Sequence, residues 1–279
     1  MSTSPPNVEG TGQKSRSQSP KSNPTPPGET VAIRKVLDVG TGTDFADEFP
    51  NAEIIGTDLS PIQPTWIPPN IKFELEDATG TWSWPENTFD FVHLRYLFGA
   101  IADWNALFAE AYRTCKPGGW VQSCEIDPPF YSDDGTVDDN AAMQTWNTVA
   151  REGGIRFGRT FCVVDEGLQV PGLEAAGFVD IQQQNFKVRA IPGNFSSQQM
   201  SNLEFRFLLA AGPETPSFSK LASFSGYTMI LWHQVMGWPK DEYQVFLMGM
   251  RKALRDKRIH SYMNLRYVWA RKPEEATEA

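Results

Sequence analysis

Long apolar runs are missing from this chain of 279 residues. Nothing in it approaches the roughly 20 consecutive apolar residues that span a bilayer, and no N-terminal stretch reads as a secretory signal. Cysteine is scarce. Cys115, Cys124 and Cys162 are too few and too scattered for a disulfide framework or a zinc site, so they are expected as buried, reduced thiols. Basic residues are outnumbered, 25 Lys and Arg against 34 Asp and Glu. The resulting charge of −9 excludes general affinity for nucleic acid, which rests on neutralising phosphates. No Walker lysine follows any glycine turn. These absences lead us to expect a soluble, cytoplasmic protein, with a nuclear location also open, that has no metal site, no membrane partner and no nucleic-acid partner.

What is present is enough for one large folded unit. Apolar residues make up 40% of the chain, and 9 Trp with 18 Phe imply a core or pocket built partly from aromatic rings. Residues 1–30 are Ser, Pro, Thr and Gly with few charges, and Val8 is their one apolar residue after the initiator. Such a segment cannot offset its ordering entropy by burial and is expected to be a disordered tail. The folded domain is expected over 31–272, with a helical lid at about 195–256 and a short tail at 273–279.

The stretch from Lys35 to Ser60 carries the strongest local pattern. Val36-Leu37-Asp38 runs into a turn with Gly40 and Gly42, and Ile54-Ile55-Gly56-Thr57 ends in Asp58. Strand, glycine turn, short helix, strand and acid form the grammar of a nucleotide-binding βαβ unit. Glycine lets the backbone approach a ligand, and an acid at the end of the second strand can take both hydroxyls of a ribose. The dinucleotide form is excluded because no third glycine follows Thr43-Asp44-Phe45. Further strands are expected at Ile71–Leu75, Phe89–Leu94, Trp120–Ile126, Val179–Val188 and His260–Ala270. Helices are expected at Trp104–Cys115, Asn140–Glu152, Glu166–Ala176 and Asp241–Asp256, with two more in 195–212 and 218–236. In this reading Lys116-Pro117-Gly118-Gly119 stops the helix before strand five. Ligands of α/β sheets sit beyond the carboxyl ends of the strands, here marked by Asp38, Asp58 and Asp77-Ala78. Three acids in a row suit a neutral or cationic nucleoside and repel a polyphosphate.

These residues resemble those of class I S-adenosylmethionine-dependent methyltransferases, and within them the fungal LaeA-like group. The matching runs are Val36-Leu37-Asp38-Val39-Gly40-Thr41-Gly42-Thr43, Ile55-Gly56-Thr57-Asp58-Leu59-Ser60-Pro61-Ile62-Gln63-Pro64, Phe89-Asp90-Phe91-Val92-His93-Leu94-Arg95, Lys116-Pro117-Gly118-Gly119-Trp120 and His260-Ser261-Tyr262. The resemblance implies an α/β, Rossmann-like sheet of seven strands with strand seven antiparallel and a helical insertion before it. It implies S-adenosyl-L-methionine as cofactor, with Asp38, Gly40 and Gly42 lining its amino-acid end and ribose. Asp58 and Leu59 would hold the ribose, and Asp77 and Ala78 the adenine. His93 to Arg95 would border the methyl group and a small, aromatic acceptor; no catalytic residue is assigned. The implied setting is fungal secondary metabolism, with other pathway enzymes as partners. One departure stands out: Thr43 runs directly into Asp44, where the family continues with a further glycine and several apolar residues. This shortening makes a non-catalytic accessory protein the alternative to an active enzyme, and a nuclear regulator of secondary metabolism the third reading.

Overall fold

The structure, a computed structural model, describes residues 33–40, 50–58, 68–189 and 229–274. Its core is a seven-stranded sheet in the order β3-β2-β1-β4-β5-β7-β6. The strands are β1 (Lys35–Val39), β2 (Glu53–Asp58), β3 (Ile71–Leu75), β4 (Phe89–Arg95), β5 (Cys115–Ile126), β6 (Val179–Arg189) and β7 (Tyr262–Arg271). β1 to β5 pair in parallel, whereas β7 runs antiparallel between β5 and β6. The seven strands and the reversal of strand seven are those the sequence resemblance implied. The central strands read as continuous apolar runs because both their faces are covered; Val36, Leu37, Val92 and Leu94 are fully buried. β6 is the sheet edge, and its Gln182-Gln183-Gln184-Asn185 run is exposed.

Helices α1 (Trp104–Thr114) and α3 (Gln169–Ala176) cover one face. Asp103 starts α1 by accepting the Ala106 N–H at 3.0 Å, and Trp104, Leu107, Phe108 and Ala111 form its buried stripe. Helix α2 (Ala141–Phe157), a π-helical turn (Ile230–Val235) and helix α4 (Lys240–Arg255) cover the other face over β5 and β7. There Trp232 stacks on Phe246 at 4.8 Å, and Tyr243, Phe246, Leu247, Met250 and Leu254 make the buried side of α4, as their spacing predicts. The 195–212 segment and the start of the 218–236 segment lie outside the described residues, as do both tails except Pro273 and Glu274.

Three boundaries differ from the sequence reading by more than two residues, each for a packing reason. Lys116-Pro117-Gly118-Gly119 is not a helix stop: α1 ends when Cys115 turns extended (φ −72°, ψ 139°), and β5 begins there, pairing Cys115 with Phe89. The register then shifts before Phe91, a bulge in which Gly118 takes φ +74°. A Cβ on Gly119 would lie 2.8 Å from the Cys115 sulfur and 2.9 Å from the Asp90 carbonyl, so that run is built for close strand approach. Helix α2 runs on to Phe157 because Gly153 and Gly154 pack against the π-helical turn and Phe161, and left-handed Gly158 ends it. α3 starts only at Gln169, since 163–167 form a turn held by Asp127.

The α1–α3 contact is equally tight: a Cβ on Gly172 would meet the Phe108 ring at 2.5 Å. Gly172→Ala should therefore lower unfolding free energy by up to about 2 kcal/mol, because an overpacking cost of about 1–3 kcal/mol outweighs the ~1 kcal/mol gain in helix propensity. Urea denaturation checks this, and a raised midpoint would contradict the packing described.

Candidate functional site

The carboxyl ends of β1, β2 and β4 meet at one point. Gly40 turns the chain with φ +75° and donates its N–H to the Thr57 carbonyl at 3.1 Å, which brings the end of β2 beside the turn. A Cβ on Gly40 would fall 2.5 Å from the Arg95 carbonyl and 3.0 Å from Leu97. Its glycine is thus demanded first by the end of β4. A left-handed φ alone would tolerate Asn; this contact does not.

Asp38 and His93 lie opposite each other across β1 and β4, and both side chains are wholly buried. His93 Nδ1 and Asp38 Oδ1 are 2.7 Å apart. Burial pushes His93 below its usual imidazole range, against the pull of Asp38. The neutral ring then donates its Nδ1–H to the carboxylate. Its flat face stacks on Phe91 at 6.4 Å, and the next strand places Gln122 in register with it. Asp38 and His93 thus sit inside the sheet, beneath the turn. Arg95 is also buried, at 6% exposure, beside the Tyr96 ring.

Asp58 closes β2 half-buried, in register with Leu75, one residue beyond the carbonyl that Gly40 engages. Asp77 is exposed, and its Oδ1 accepts from both the N–H and the hydroxyl of Thr79, at 2.9 and 2.7 Å. Those bonds hold its carboxyl below the usual range. Ala78 accepts the Trp82 indole N–H at 3.3 Å and packs on the α1 side of the sheet. Gly42 and Leu59, with the shortened stretch around Thr43-Asp44, lie outside the described residues.

Two acids at the end of β5 were overlooked in the sequence. Glu125 is fully buried and accepts the N–H groups of Leu97 and Phe98 at 3.0 and 3.1 Å, so it fixes the loop after β4. Asp127 accepts those of Val164 and Asp165 at 2.9 and 2.8 Å and fixes the 163–167 turn. Burial pushes Glu125 up to about 8 and Asp127 up to about 7. Their signal was available: Glu125-Ile126-Asp127 ends a strand on the same sheet edge as Asp38, Asp58 and Asp77. Beside them Tyr131 donates to Asp165, and Arg151 donates to both Asp165 and the Tyr131 hydroxyl. Phe98 and Phe161 pair at 6.0 Å where the two loops meet.

The other histidines serve as fasteners. His233 Nδ1 lies 2.9 Å from the Trp238 carbonyl, and exposed His260 lies 2.5 Å from Asp134. The thiols of Cys115, Cys124 and Cys162 are buried and each pushed up to about 12 by burial. Among the described residues no helix is long and apolar enough to cross a membrane, and no cluster of His, Cys, Asp and Glu could hold a metal ion.

The residues at the carboxyl ends of β1 and β2 fit an adenosyl group: a glycine turn stands beside a half-buried strand-end carboxylate, and no cationic phosphate cradle is present among the described residues. A methyltransferase domain matches residues 13–166. The chain is 31% identical over 259 residues to the secondary metabolism regulator LAE1 of Cochliobolus heterostrophus, covering 89% of this chain and 80% of that one. It is 32% identical over 251 residues to the methyltransferase pytC of Aspergillus terreus, covering 86% and 72%. The YcgJ protein of Bacillus subtilis aligns over 88% of this chain and 95% of its own, with a TM-score of 0.49 and 13% identity.

Raising the pH should weaken the fold through Glu125. Its folded value, about 8, exceeds the ordinary 4.5, so the folded state binds the extra proton and stability falls as pH climbs through that window. His93 contributes the opposite slope below its ordinary 6.5, because its folded value is depressed. Urea unfolding followed against pH should show Glu125→Gln flattening the decline toward pH 8; an unchanged slope would remove Glu125 as its source.

Proposed function

The chain belongs to the methyltransferase family that includes fungal proteins of secondary metabolism, and from that premise we propose that it is a methyltransferase acting on a small, flat, apolar acceptor. Its cofactor is S-adenosyl-L-methionine. The observation that carries this reading is the junction of Gly40, Thr57 and Asp58, where a turn pinned to β2 stands next to a half-buried carboxylate.

Asp58 would accept from the two ribose hydroxyls, and Asp77 with Ala78 would border the adenine. When bound, the cofactor supplies an electrophilic methyl group on a sulfonium. The chain's own contribution is alignment, because an in-line displacement gains most from holding its reactants at the right distance and angle. Glu125 serves that end by clamping Leu97 and Phe98, so the loop after β4 keeps one shape. The Phe98–Phe161 pair gives that edge of the sheet an aromatic wall, which suits a flat acceptor. Asp38 supports the same site from below: its bond to His93 ties β1 to β4, and that tie holds the Gly40 turn against Arg95.

Isothermal titration of the purified chain with S-adenosylmethionine tests the reading. Saturable heat is expected, and Asp58→Ala should weaken binding by about tenfold or more through loss of charge-assisted hydrogen bonds. No heat at about millimolar cofactor would overturn it and favour a methyltransferase fold that serves as a non-catalytic accessory protein.

A further inference from the structure

Just past the end of β5, three side chains that the cofactor site does not use close into one network. Tyr131 donates its hydroxyl proton to Asp165. Arg151 on α2 donates to that hydroxyl oxygen at 2.7 Å and to the same Asp165 oxygen at 3.1 Å. The guanidinium lies 5.6 Å from the centre of the Tyr131 ring, which stacks on Tyr262. Folding gives little reason for so much order among half-exposed groups, since surface ion pairs contribute little. The backbone already fastens this loop: Tyr131 and Tyr262 exchange N–H···O bonds at 2.8 and 2.9 Å, and Asp127 holds the 163–167 turn.

The network fixes which way the tyrosine can bond. A hydroxyl has one proton and two lone pairs. Asp165 takes the proton and Arg151 fills one lone pair, so among the described residues the second lone pair is left open. Burial raises Asp165, but the bonds from Tyr131 and Arg151 outweigh it and hold the carboxyl below its usual range, so it stays an acceptor. Burial, and then Asp165, pushes the Tyr131 phenol above its usual range, so it keeps its proton. Toward a ligand, Tyr131 can accept a hydrogen bond and cannot offer one. It stands on the same carboxyl edge of the sheet as the Gly40 turn. Glu125 holds Leu97 beside that turn, and two residues on, about 7 Å of extended chain, Asp127 holds the N–H of Asp165. Phe161, four residues before Asp165, pairs with Phe98.

We infer that Tyr131 is an acceptor-binding residue: its open lone pair takes a hydrogen bond from the hydroxyl that is to be methylated, on a flat acceptor lying against Phe98 and Phe161. This rests on the methyltransferase reading and narrows its acceptor to a phenol-like molecule. Asp165 and Arg151 act through Tyr131 as positioning residues. A ligand that presents an ether or carbonyl oxygen at that point sets a lone pair against a lone pair and gains no bond. Methylation replaces the hydroxyl proton, which leaves to water, so the product lacks the bond by which the substrate was held. One network thus favours substrate over product.

Equilibrium dialysis of the full chain at neutral pH, read by fluorescence, tests this with two probes, β-naphthol and its methyl ether. They share a flat apolar body and differ in the proton that Tyr131 would accept. Wild type is expected to hold the naphthol about fivefold more tightly than the ether. Tyr131→Phe keeps the ring and removes the lone pair, so the ratio should fall to about one. Asp165→Ala releases the Tyr131 proton for donation, so the ether should bind more tightly and the ratio should fall again. A merely structural Asp165 would weaken both probes alike. Thermal melts check that both variants fold, and Tyr131→Phe decides the matter alone if Asp165→Ala does not. No binding of either probe, a wild-type ratio near one, or a ratio that survives in Tyr131→Phe or in folded Asp165→Ala would overturn the inference. Titration of the same variants with S-adenosylmethionine reads the cofactor site separately. Naphthol selectivity without cofactor binding would sink the methyltransferase reading, and cofactor binding without selectivity would sink this one.

Discussion

A hydrogen bond between two wholly buried side chains, Asp38 and His93, joins the strands around which this molecule is arranged. Burying such groups is costly unless each is well paired, and removing one member leaves the other stranded in a low-dielectric interior. The pair therefore discriminates strongly between the native register of β1 on β4 and any slipped one, because a one-residue shift would move Asp38 to the opposite face. Two features follow from that register. The Arg95 carbonyl is pressed so close to Gly40 that no other residue fits there, and the turn that follows β1 is delivered beside Thr57 and Asp58.

The carboxylates at this edge of the sheet divide by burial. Asp38, Glu125 and Asp127 are turned inward and hold backbone or neighbouring strands, so they set the shapes of the loops. Asp58 remains half-buried and Asp77 exposed, so both keep a face toward solvent. One sequence pattern, an acid at the end of a parallel strand, thus produces two kinds of residue. The difference arises from the neighbours: Asp38 faces a histidine in register on β4, whereas Asp58 faces Leu75 on the shorter, more exposed β3.

Much of this could be read in the chain before any coordinates. The apolar runs of β1 and β2 matched residue for residue or nearly so, because strands buried on both faces leave little ambiguity, and the more exposed β3 matched as well. The buried side of α4 was equally clear from its spacing. The Lys116-Pro117-Gly118-Gly119 run misled, since glycine past a helix and glycine in a bulge look alike until the cross-strand partner Asp90 is known. At the site, spacing could nominate Asp38, Asp58 and Asp77 but could not tell that Asp38 is buried against His93 on β4 while Asp77 is exposed and bonded to Thr79. Glu125 and Asp127 end a strand as the other acids do, but their role as loop fasteners was not legible, because their partners are backbone N–H groups of loops distant in sequence.

The central claim is that the Asp38–His93 pair is a strand fastener on which the glycine turn relies. A double-mutant cycle with Asp38→Asn, His93→Phe and the combined variant, read by urea unfolding at neutral pH, tests it most directly. The account predicts strong coupling, with the double variant less destabilised than the sum of the singles by about 1–3 kcal/mol. Effects that add to within about 0.5 kcal/mol would contradict it.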